Sequence, residues 1–511
     1  MKLKELINSF DHAGDITEDI EITGISCNSK EVEAGNLFVA IKGAKADAGV
    51  FAKNAVEKGA ACVVTEKKLD IAVSQIIVRD SRSALARLSD RFFGKPSKKL
   101  KMVAVTGTNG KTTVTYLIES IFTQAGLNSG VIGTVNYRYG GRVFPAPLTT
   151  PSAPALQKLL KEMLDSGVTH CAMEVSSHSI LQRRVEGTRF DVKVFTNLTP
   201  EHLDYHRTME EYFRAKASLF TDAAFETGRA VSIINVDDRW GEILQKEVRP
   251  SLRYSLGKNA DIYPVGYSVT KDGIEADIYT PRGTVSVASP LVGEHNLYNI
   301  LASAGACCVL GLPLDAVGKG IAALKNVPGR LERVNGGGTS GGAGRGIRAY
   351  VDYAHTPDAL ERTLTVISGI SKGRVITVFG CGGNRDRLKR PVMGGISARL
   401  SDVTIVTSDN PREEDPLEII KEIEKGMGGI KKYDGRAQGA NKGYMIITDR
   451  SEAIKKAVEI AKAGDTILVA GKGHEDCQIV KGGKFAFDDR EVLKNFLKEA
   501  RPAAAESLSR Q

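Results

Sequence analysis

Short apolar runs alternate with helix-length segments along most of the chain. Strand candidates occupy residues 101–105, 169–175, 192–197 and 230–235. Strands separated by helices are typical of a mostly parallel sheet with helices on its faces. The pattern therefore predicts an α/β fold, with a side feature of short strands over 274–279 and 284–288 and a helix over 296–310.

Two breaks divide this pattern into three predicted domains, at residues 1–98, 99–330 and 331–511. The polar stretch 94–99 predicts a linker, and the glycine-rich run 335–346 predicts a flexible loop just inside the third domain. A chain of 511 residues is also too long for one ordinary hydrophobic core. The polar tail 503–511 is predicted to be disordered.

Three apolar runs of the third domain, 375–379, 403–407 and 466–470, each end in a polar loop that carries glycine or asparagine. Doubly wound sheets bind their ligands at the carboxyl ends of such strands. These three loops therefore predict a ligand site in the third domain.

Composition narrows the class of protein. A net charge of +9 over 511 residues, without basic residues interleaved with aromatics, does not favour a nucleic-acid partner. Seven cysteines without a CxxC pair argue against a disulfide framework or a zinc site. The N-terminus lacks a long apolar core and there is no 18-residue apolar run, so we expect a cytoplasmic protein without a membrane span.

The strongest chemical signal is a glycine loop over residues 107–113, placed between a strand candidate and a helix candidate over 112–125. Backbone amides freed by Gly107 and Gly110 can face phosphate oxygens, Lys111 can neutralise them, and a following threonine hydroxyl can hold magnesium. Val105 stands where the longer Walker motif has its first glycine. The loop predicts nucleotide binding.

Glu174 lies at the end of one predicted strand and His202 just after another, and we expect them at adjacent strand ends. There they can bind a second divalent cation, as acyl activation by a nucleotide requires, although each alone is more often a capping or core residue. Lys216 lies among apolar residues of a predicted helix, a pattern that by itself predicts a snorkelling side chain. The pattern favours an ATP-dependent ligase that forms an acyl phosphate. The glycine loop alone is equally compatible with a kinase or a motor, the absence of an Asn-Lys-x-Asp sequence disfavours a switch GTPase, and a nucleotide-binding scaffold is a further alternative.

Six motifs then occur in order: TGTNGKTT at 106–113, EVSSH at 174–178, HLDYH at 202–206, GEHNLYN at 293–299, PGRLE at 328–332 and DYAHTP at 352–357. With them the chain resembles the Mur ligases, which build the peptide of bacterial peptidoglycan. GCGGNRDRLKRP, SDNPR and GKGHE are similar to signatures of the branch that adds the third amino acid. The resemblance implies a uridine-nucleotide domain, a central P-loop ATPase domain and a Rossmann-like amino-acid domain.

The resemblance also implies ATP as co-substrate and Mg²⁺ as cofactor. Lys111 is implied as a catalytic residue. The implied metal ligands are Thr112, Glu174, His202 and Lys216, with Lys216 acting as a carbamate. Glu174, His202 and Lys216 are also implied to be catalytic. The implied ATP contacts are Gly107, Thr108, Asn109, Gly110, Lys111, Thr112, Thr113, His295, Asn299, Arg330 and Asp352.

The two remaining substrates are implied to be UDP-MurNAc-L-Ala-D-Glu and meso-diaminopimelate. Arginine can clamp a second carboxylate with two hydrogen bonds, so Arg412 favours diaminopimelate over L-lysine, and Glu475 suits the distal ammonium. The implied contacts of the uridine nucleotide substrate are Cys27, Ser29, Ala44, Lys45, Ala46, Thr149, Thr150, Ser176, Gln182 and Arg184. Those of diaminopimelate are Arg385, Asp409, Asn410, Pro411, Arg412, Gly471 and Glu475.

The expected reaction begins when the D-glutamate side-chain carboxylate attacks the γ-phosphate of ATP. The acyl phosphate is then attacked by the amine of diaminopimelate, and we expect the enzyme to act as a monomer. A lysine-adding Mur ligase or a folylpolyglutamate-type amide ligase stays open as an alternative.

Overall fold

A computed structural model describes residues 1–8, 12–13, 19–41, 48–225, 230–336, 346–434 and 442–500. Ala44, Lys45 and Ala46, residues 337–345 of the glycine-rich run and the tail 503–511 lie outside the described residues, and so do the predictions made for them. Within the described ranges, no helix combines the length and the apolar character needed to cross a membrane.

The first sheet contains four parallel strands in the order β1-β2-β3-β4. Both middle strands are buried along their whole length, as is usual for parallel sheets covered on two faces. Its elements are α1 Leu3–Ile7, β1 Gly24–Ser26, β2 Asn36–Val39, α2 Ala48–Glu57, β3 Cys62–Thr65, β4 Ser74–Ile77 and α3 Ser81–Phe92.

The predicted linker at 94–99 is packed rather than free. Pro96–Lys98 form a turn of 3₁₀ helix, and the buried hydroxyl of Ser97 accepts a hydrogen bond from the Arg189 amide at 3.0 Å. Because this bond satisfies a buried polar group, the connection is fixed against the second sheet.

The second sheet has eight strands in the order β12-β11-β10-β5-β9-β6-β7-β8, and only β6-β7-β8 pair in antiparallel fashion. Its strands are β5 Lys101–Thr106, β6 Ser129–Ile132, β7 Asn136–Tyr139, β8 Arg142–Pro145, β9 His170–Glu174, β10 Val192–Phe195, β11 Val231–Asn235 and β12 Ser251–Tyr254. Its helices are α4 Lys111–Gln124, α5 Ala153–Asp165, α6 Ser177–Leu181, α7 Leu203–His206, α8 Met209–Thr221 and α9 Arg239–Glu247, with a 3₁₀ turn at Ala223–Phe225.

The glycine loop lies at the centre of this sheet, after β5. Strand β9, which ends at Glu174, and strand β10, which precedes His202, flank β5 on opposite sides. The expectation that these two strands are neighbours is therefore wrong. Because the carboxyl ends of parallel strands share one edge, all three loops still meet there.

The predicted side feature is an antiparallel sheet of β13 Tyr263–Thr270, β14 Gly273–Thr280 and β15 Gly283–Ser289. Its buried face shares a hydrophobic core with α4, α10 Glu294–Val309 and α11 Leu314–Ala323. Helix α4 contributes Val114, Leu117, Ile118 and Ile121, the spacing of one helix face. This packing fixes the direction in which the helix after the glycine loop points.

The third sheet has the order β16-β17-β22-β18-β19-β21-β20. The three runs that predicted a ligand site are its adjacent strands β22, β18 and β19. The strands are β16 Glu332–Arg333, β17 Arg348–Asp352, β18 Val375–Phe379, β19 Val403–Val406, β20 Lys431–Lys432, β21 Gly443–Ile446 and β22 Thr466–Ala470, with a separate hairpin of β23 Cys477–Val480 and β24 Gly483–Ala486. The helices are α12 Pro357–Ile370, α13 Lys389–Leu400, α14 Pro416–Glu424, α15 Arg450–Ile460 and α16 Asp489–Glu499.

A buried ion pair supports the ligand end of this sheet. Arg450 donates two hydrogen bonds of 2.7 Å to the carboxylate of Asp489, and neither side chain is exposed. The same guanidinium donates to the carbonyls of Ala470 at 3.0 Å and Ser408 at 3.4 Å. One fully buried side chain thus ties together the loops that follow β19 and β22.

Candidate active site

A cavity of about 450 Å³ lies between the glycine loop, the end of β9 and two segments of the third sheet. These segments are residues 330–331, just before β16, and residues 352–356, at the end of β17 and after it. Six of the predicted site residues that line it are Lys111, Glu174, His202, Lys216, Arg330 and Asp352. The structure therefore gathers into one cavity residues that are far apart in sequence.

Two positions of the loop require glycine because neighbouring side chains approach the backbone too closely for a Cβ atom. A Cβ atom on Gly107, whose φ is +144°, would lie 1.9 Å from the Thr196 hydroxyl oxygen. A Cβ atom on Gly110, whose φ is +88°, would lie 2.4 Å from the Asn299 side-chain oxygen. The loop is further fixed by Asn109, whose amide donates to the Asn197 side chain at 2.9 Å.

Two lysine side chains converge on one carbonyl of the loop. Lys111 Nζ donates to the carbonyls of Gly107 at 2.9 Å and Thr108 at 2.7 Å, and Lys216 Nζ donates to the same Gly107 carbonyl at 2.8 Å. Burial lowers the pKa of Lys216 well below its usual value, and the neighbouring Lys111 lowers it further. The neutral amine is thereby favoured.

The snorkelling prediction for Lys216 is wrong. Its side chain is only 1% exposed, because α8 turns this face toward the glycine loop instead of toward solvent. The apolar neighbours in sequence that suggested snorkelling belong to a helix that is buried around Lys216.

Glu174 is held in one orientation. The Thr134 amide donates to Oε1 at 2.9 Å and the Thr134 hydroxyl donates to Oε2 at 2.8 Å. A Cβ atom on Gly133 would lie 2.4 Å from Oε1, so the backbone approaches the carboxylate closely. Since an ionised carboxylate has about four acceptor positions, lone pairs remain for a ligand.

His202 occupies a left-handed backbone conformation, with φ +57°, at the start of α7. Its ring meets that of His178 edge-on at 4.9 Å, and its Nε2 lies 3.8 Å from a carboxylate oxygen of Glu201. Burial raises the pKa of Glu201, but His202 and Lys111 outweigh this effect, so that the pKa is lowered overall.

Sequence reasoning missed Glu201 as a member of the site. The available signal was its position immediately before His202 in a polar loop that follows a buried strand. It also missed Asp358, which follows the DYAHTP motif and accepts hydrogen bonds from Asn109 Nδ2 at 3.2 Å and Thr199 Oγ1 at 2.9 Å.

The predicted ATP contacts outside the glycine loop bring the second and third sheets together. Arg330 Nη2 donates to the Thr112 hydroxyl at 3.2 Å. The Asp352 carboxylate accepts from the amides of Leu331 at 2.6 Å and Ala354 at 2.8 Å. Burial lowers the pKa of His295 to about 4, so that its imidazole is neutral near pH 7.

The residues predicted for the uridine nucleotide substrate form a connected cluster beside Glu174. Arg184 donates to the Thr150 carbonyl at 2.8 Å and to the Gln182 side chain at 2.6 Å. Thr150 Oγ1 donates to the Glu174 carbonyl at 2.9 Å and accepts from the Ser176 amide at 3.1 Å.

Of three further residues predicted for this substrate, Thr149 and Cys27 lie close to the cluster. The Thr149 hydroxyl lies 3.1 Å from that of Thr134, the residue that holds Glu174. Cys27, after β1, is close enough to Arg184 for the guanidinium to influence its thiol, whose pKa burial raises. Ser29 is buried in the same loop of the first sheet.

The residues predicted for diaminopimelate meet after β18, β19 and β22. Arg412, at φ +54°, donates to the Gly383 carbonyl at 2.9 Å, and burial and then Arg385 lower its pKa. Asn410 Nδ2 donates to Glu475 Oε2 at 2.8 Å. A Cβ atom on Gly471 would lie 2.6 Å from the Asp409 carboxylate, so the two loops touch. Pro411 lies between Asn410 and Arg412.

The glycine loop, two converging lysines, the Glu174 carboxylate and residues of the third domain share one cavity, an arrangement that suits a nucleotide-dependent ligase, and comparison with family models agrees. Three models match in order: "Mur ligase family, catalytic domain" over residues 21–93, "Mur ligase middle domain" over 105–307 and "Mur ligase, glutamate ligase domain" over 329–473. The chain belongs to the Mur ligase family, as the motifs predicted.

Among its curated relatives is the UDP-N-acetylmuramoyl-L-alanyl-D-glutamate--2,6-diaminopimelate ligase of Geobacter sulfurreducens, 46% identical over 96% of this chain and 97% of the relative. The enzyme of the same name from Clostridium botulinum is 41% identical over 98% of this chain and 100% of the relative. A solved structure of a ligase with this name has a TM-score of 0.70 at 32% identity and covers 98% of this chain and 99% of that one. The predicted α/β Mur ligase architecture is confirmed.

We expect Gly107→Ala to weaken ATP binding at least about tenfold, because the new methyl group cannot fit beside Thr196 and the loop must shift. Titration with a fluorescent ATP analogue measures the change. Gly369→Ala is the matched control, since a Cβ there meets no atom within 4 Å. Equal affinities for both variants would contradict the placement of phosphate at this loop.

Proposed function

We propose that this chain is an ATP-dependent ligase that adds meso-diaminopimelate to UDP-MurNAc-L-Ala-D-Glu in peptidoglycan biosynthesis. The observation that carries the proposal is a direct contact between two groups of predicted site residues. Thr150, predicted to bind the uridine nucleotide substrate, donates a hydrogen bond to the carbonyl of Glu174, a predicted metal ligand. The names of relatives up to 46% identical agree with this reaction.

The domain assignment forms part of the proposal. Residues 1–98 bind the uridine nucleotide, residues 99–330 bind ATP, and residues 331–511 bind the incoming amino acid. Cytoplasmic location and a monomeric state stay predictions, and sedimentation of the purified protein tests the latter: a stable dimer would exclude it.

The first chemical step joins a carboxylate to phosphorus. An oxygen of the D-glutamate side chain attacks the γ-phosphorus of ATP, the bond from that phosphorus to the bridging oxygen breaks, and ADP leaves. Both reactants are anions and repel one another, so cationic groups must screen them. Lys111 and Arg330, which line the cavity, supply positive charge at this point.

The second step consumes the acyl phosphate. The neutral amine of the amino acid attacks the acyl carbon, and the tetrahedral intermediate collapses as the carbon–oxygen bond to phosphate breaks. Phosphate leaves, the nitrogen releases one proton to the departing phosphate or to water, and an amide forms. No side chain needs to form a covalent bond with the substrate.

Side chains at the cavity wall could hold magnesium. Mg²⁺ prefers oxygen ligands, and Glu174 and Thr112 provide them at the cavity wall. Across the described part of the chain, unmodified side chains form no cluster of three metal-binding His, Cys, Asp or Glu residues. A second ion beside His202 and Glu201 would gain a further oxygen donor if Lys216 carried a carboxylate. Bound magnesium would neutralise charge on the phosphate oxygens.

We propose that Lys216 becomes this donor by reacting with carbon dioxide to form a carbamate. The amine nitrogen bonds to the carbon of CO₂ and releases a proton, which only an unprotonated amine can do. The lowered pKa of Lys216 provides that form. The new carboxylate would lie near the Gly107 carbonyl that Lys216 contacts.

We expect protein equilibrated with carbon-13 bicarbonate to show a carbamate carbon resonance that is absent from Lys216→Met. Lys193→Met is the control, because Lys193 is also a buried lysine bonded to backbone carbonyls. A resonance that survives in Lys216→Met would refute the modification at this position.

A comparison of several amino acids as the second substrate tests the proposed reaction. Purified protein with ATP, magnesium and UDP-MurNAc-L-Ala-D-Glu should release phosphate rapidly only when meso-diaminopimelate is added. Comparable release with L-lysine would identify a lysine-adding enzyme instead. Release with glutamate on a folate substrate would favour a folylpolyglutamate-type ligase, and no ATP consumption with every substrate present would favour a scaffold.

Arg412→Ala should raise the KM for meso-diaminopimelate by roughly a hundredfold and change kcat less, because a bidentate charged contact contributes about 1.5–3 kcal/mol. Steady-state phosphate release at varied diaminopimelate gives both constants. Arg399→Ala is the control, since Arg399 pairs with Glu361 on exposed surface. An unchanged KM in Arg412→Ala would remove this residue from the pocket.

A further inference from the structure

A fully buried lysine lies beneath the pocket assigned to diaminopimelate. Lys472 Nζ donates to Asn410 Oδ1 at 3.2 Å, Glu475 Oε2 at 3.2 Å and the Cys477 carbonyl at 2.5 Å. Three oxygen acceptors match the three donors of an ammonium group. The residue is thus held as a cation in direct contact with two members of the pocket.

The contacts of Lys472 determine which atoms of Glu475 are available. Oε2 of Glu475 receives hydrogen bonds from both Lys472 and Asn410, the latter at 2.8 Å. Asn410 is fixed in turn, because its Oδ1 also accepts from the Ile479 amide at 2.9 Å. Oε1 is therefore the oxygen of Glu475 with capacity for an incoming ammonium.

The charges around the pocket do not cancel. The cations Arg385, Arg412 and Lys472 stand against the carboxylates of Asp409 and Glu475, an excess of one positive charge. Arg450, below the same loops, is neutralised by its own partner and adds nothing to this excess. These five side chains therefore sum to one positive charge with Lys472 and to zero without it.

The two candidate amino acids differ in net charge. meso-Diaminopimelate carries two carboxylates and two ammonium groups and is neutral overall, whereas L-lysine lacks one carboxylate and carries a net positive charge. A positive pocket disfavours the cation and favours the additional carboxylate. Arg412 alone cannot account for the whole selectivity, because every charge within several ångströms contributes.

We propose that Lys472 is a specificity-determining residue, whose buried ammonium makes the pocket select a diacidic, zwitterionic amino acid over a cationic one. This inference rests on the proposed function. Lys472 acts at a distance through the charge of the pocket and through the position of Glu475, and it need not touch the amino acid.

The test compares kcat/KM for meso-diaminopimelate and L-lysine in Lys472→Met and Lys472→Arg. Methionine keeps the apolar stem but removes the charge, and the diaminopimelate-to-lysine ratio should fall about tenfold, as for a unit charge roughly 10 Å away at an effective dielectric constant near 20. Lys472→Arg should retain the ratio. Lys193→Met, a buried lysine of the second sheet, should leave it unchanged.

A structural role without specificity predicts a different result. If Lys472→Met lowers kcat/KM for both amino acids by the same factor, the proposal is overturned. Should this variant fail to fold, as judged by thermal unfolding, Lys472→Gln removes the charge while keeping two donors, and the same fall in ratio is required.

Wild-type enzyme separates this inference from the proposed function. If wild type does not use meso-diaminopimelate, the proposed function fails and the inference fails with it. If wild type prefers meso-diaminopimelate and the ratio is unchanged in Lys472→Met, only the inference about Lys472 fails.

Discussion

Two lysine side chains share the carbonyl oxygen of Gly107, and the proposed chemistry of the site depends on this arrangement. Both Lys111 and Lys216 lie within hydrogen-bond distance of that atom, Lys216 fully buried and Lys111 partly exposed at the cavity wall. Burial, and then repulsion from Lys111, lower the pKa of Lys216 well below its usual value and favour its neutral amine. In the proposed mechanism, Lys111 is then the cation that screens phosphate, and Lys216 provides a carboxylate after it reacts with carbon dioxide.

The same loop also joins the second and third sheets. Arg330 reaches Thr112, and Asp358 at the start of α12 accepts a hydrogen bond from Asn109. ATP bound at the loop would therefore contact residues from both sides of the cavity. The residues predicted to bind the amino acid belong to the third sheet, so the proposed mechanism requires these contacts to bring the attacking amine toward the activated carboxylate.

Sequence alone was sufficient for the glycine loop, because its chemistry resides in consecutive residues between a buried strand and a helix. The sequence also predicts strands β19 and β22, which precede Asp409 and Gly471. Both strands are buried along their whole length, and a fully buried strand appears in the sequence as a continuous apolar run. Sequence reasoning failed where the deciding contact joins distant segments. The local pattern predicts a snorkelling Lys216 because nothing near it in sequence indicates that Gly107 lies opposite, and Lys472 gives no local signal for the same reason. Strand order is likewise set by long-range pairing, which explains why β9 and β10 were expected to be neighbours.

The central claim is that the carboxylate becomes an acyl phosphate before the amine attacks. The most direct measurement supplies UDP-MurNAc-L-Ala-D-Glu with oxygen-18 in the D-glutamate side-chain carboxylate and analyses the released phosphate by mass spectrometry. The account predicts that each phosphate carries one oxygen from the carboxylate, because the carbon–oxygen bond breaks in the second step. Phosphate that contains no oxygen from the carboxylate would contradict it.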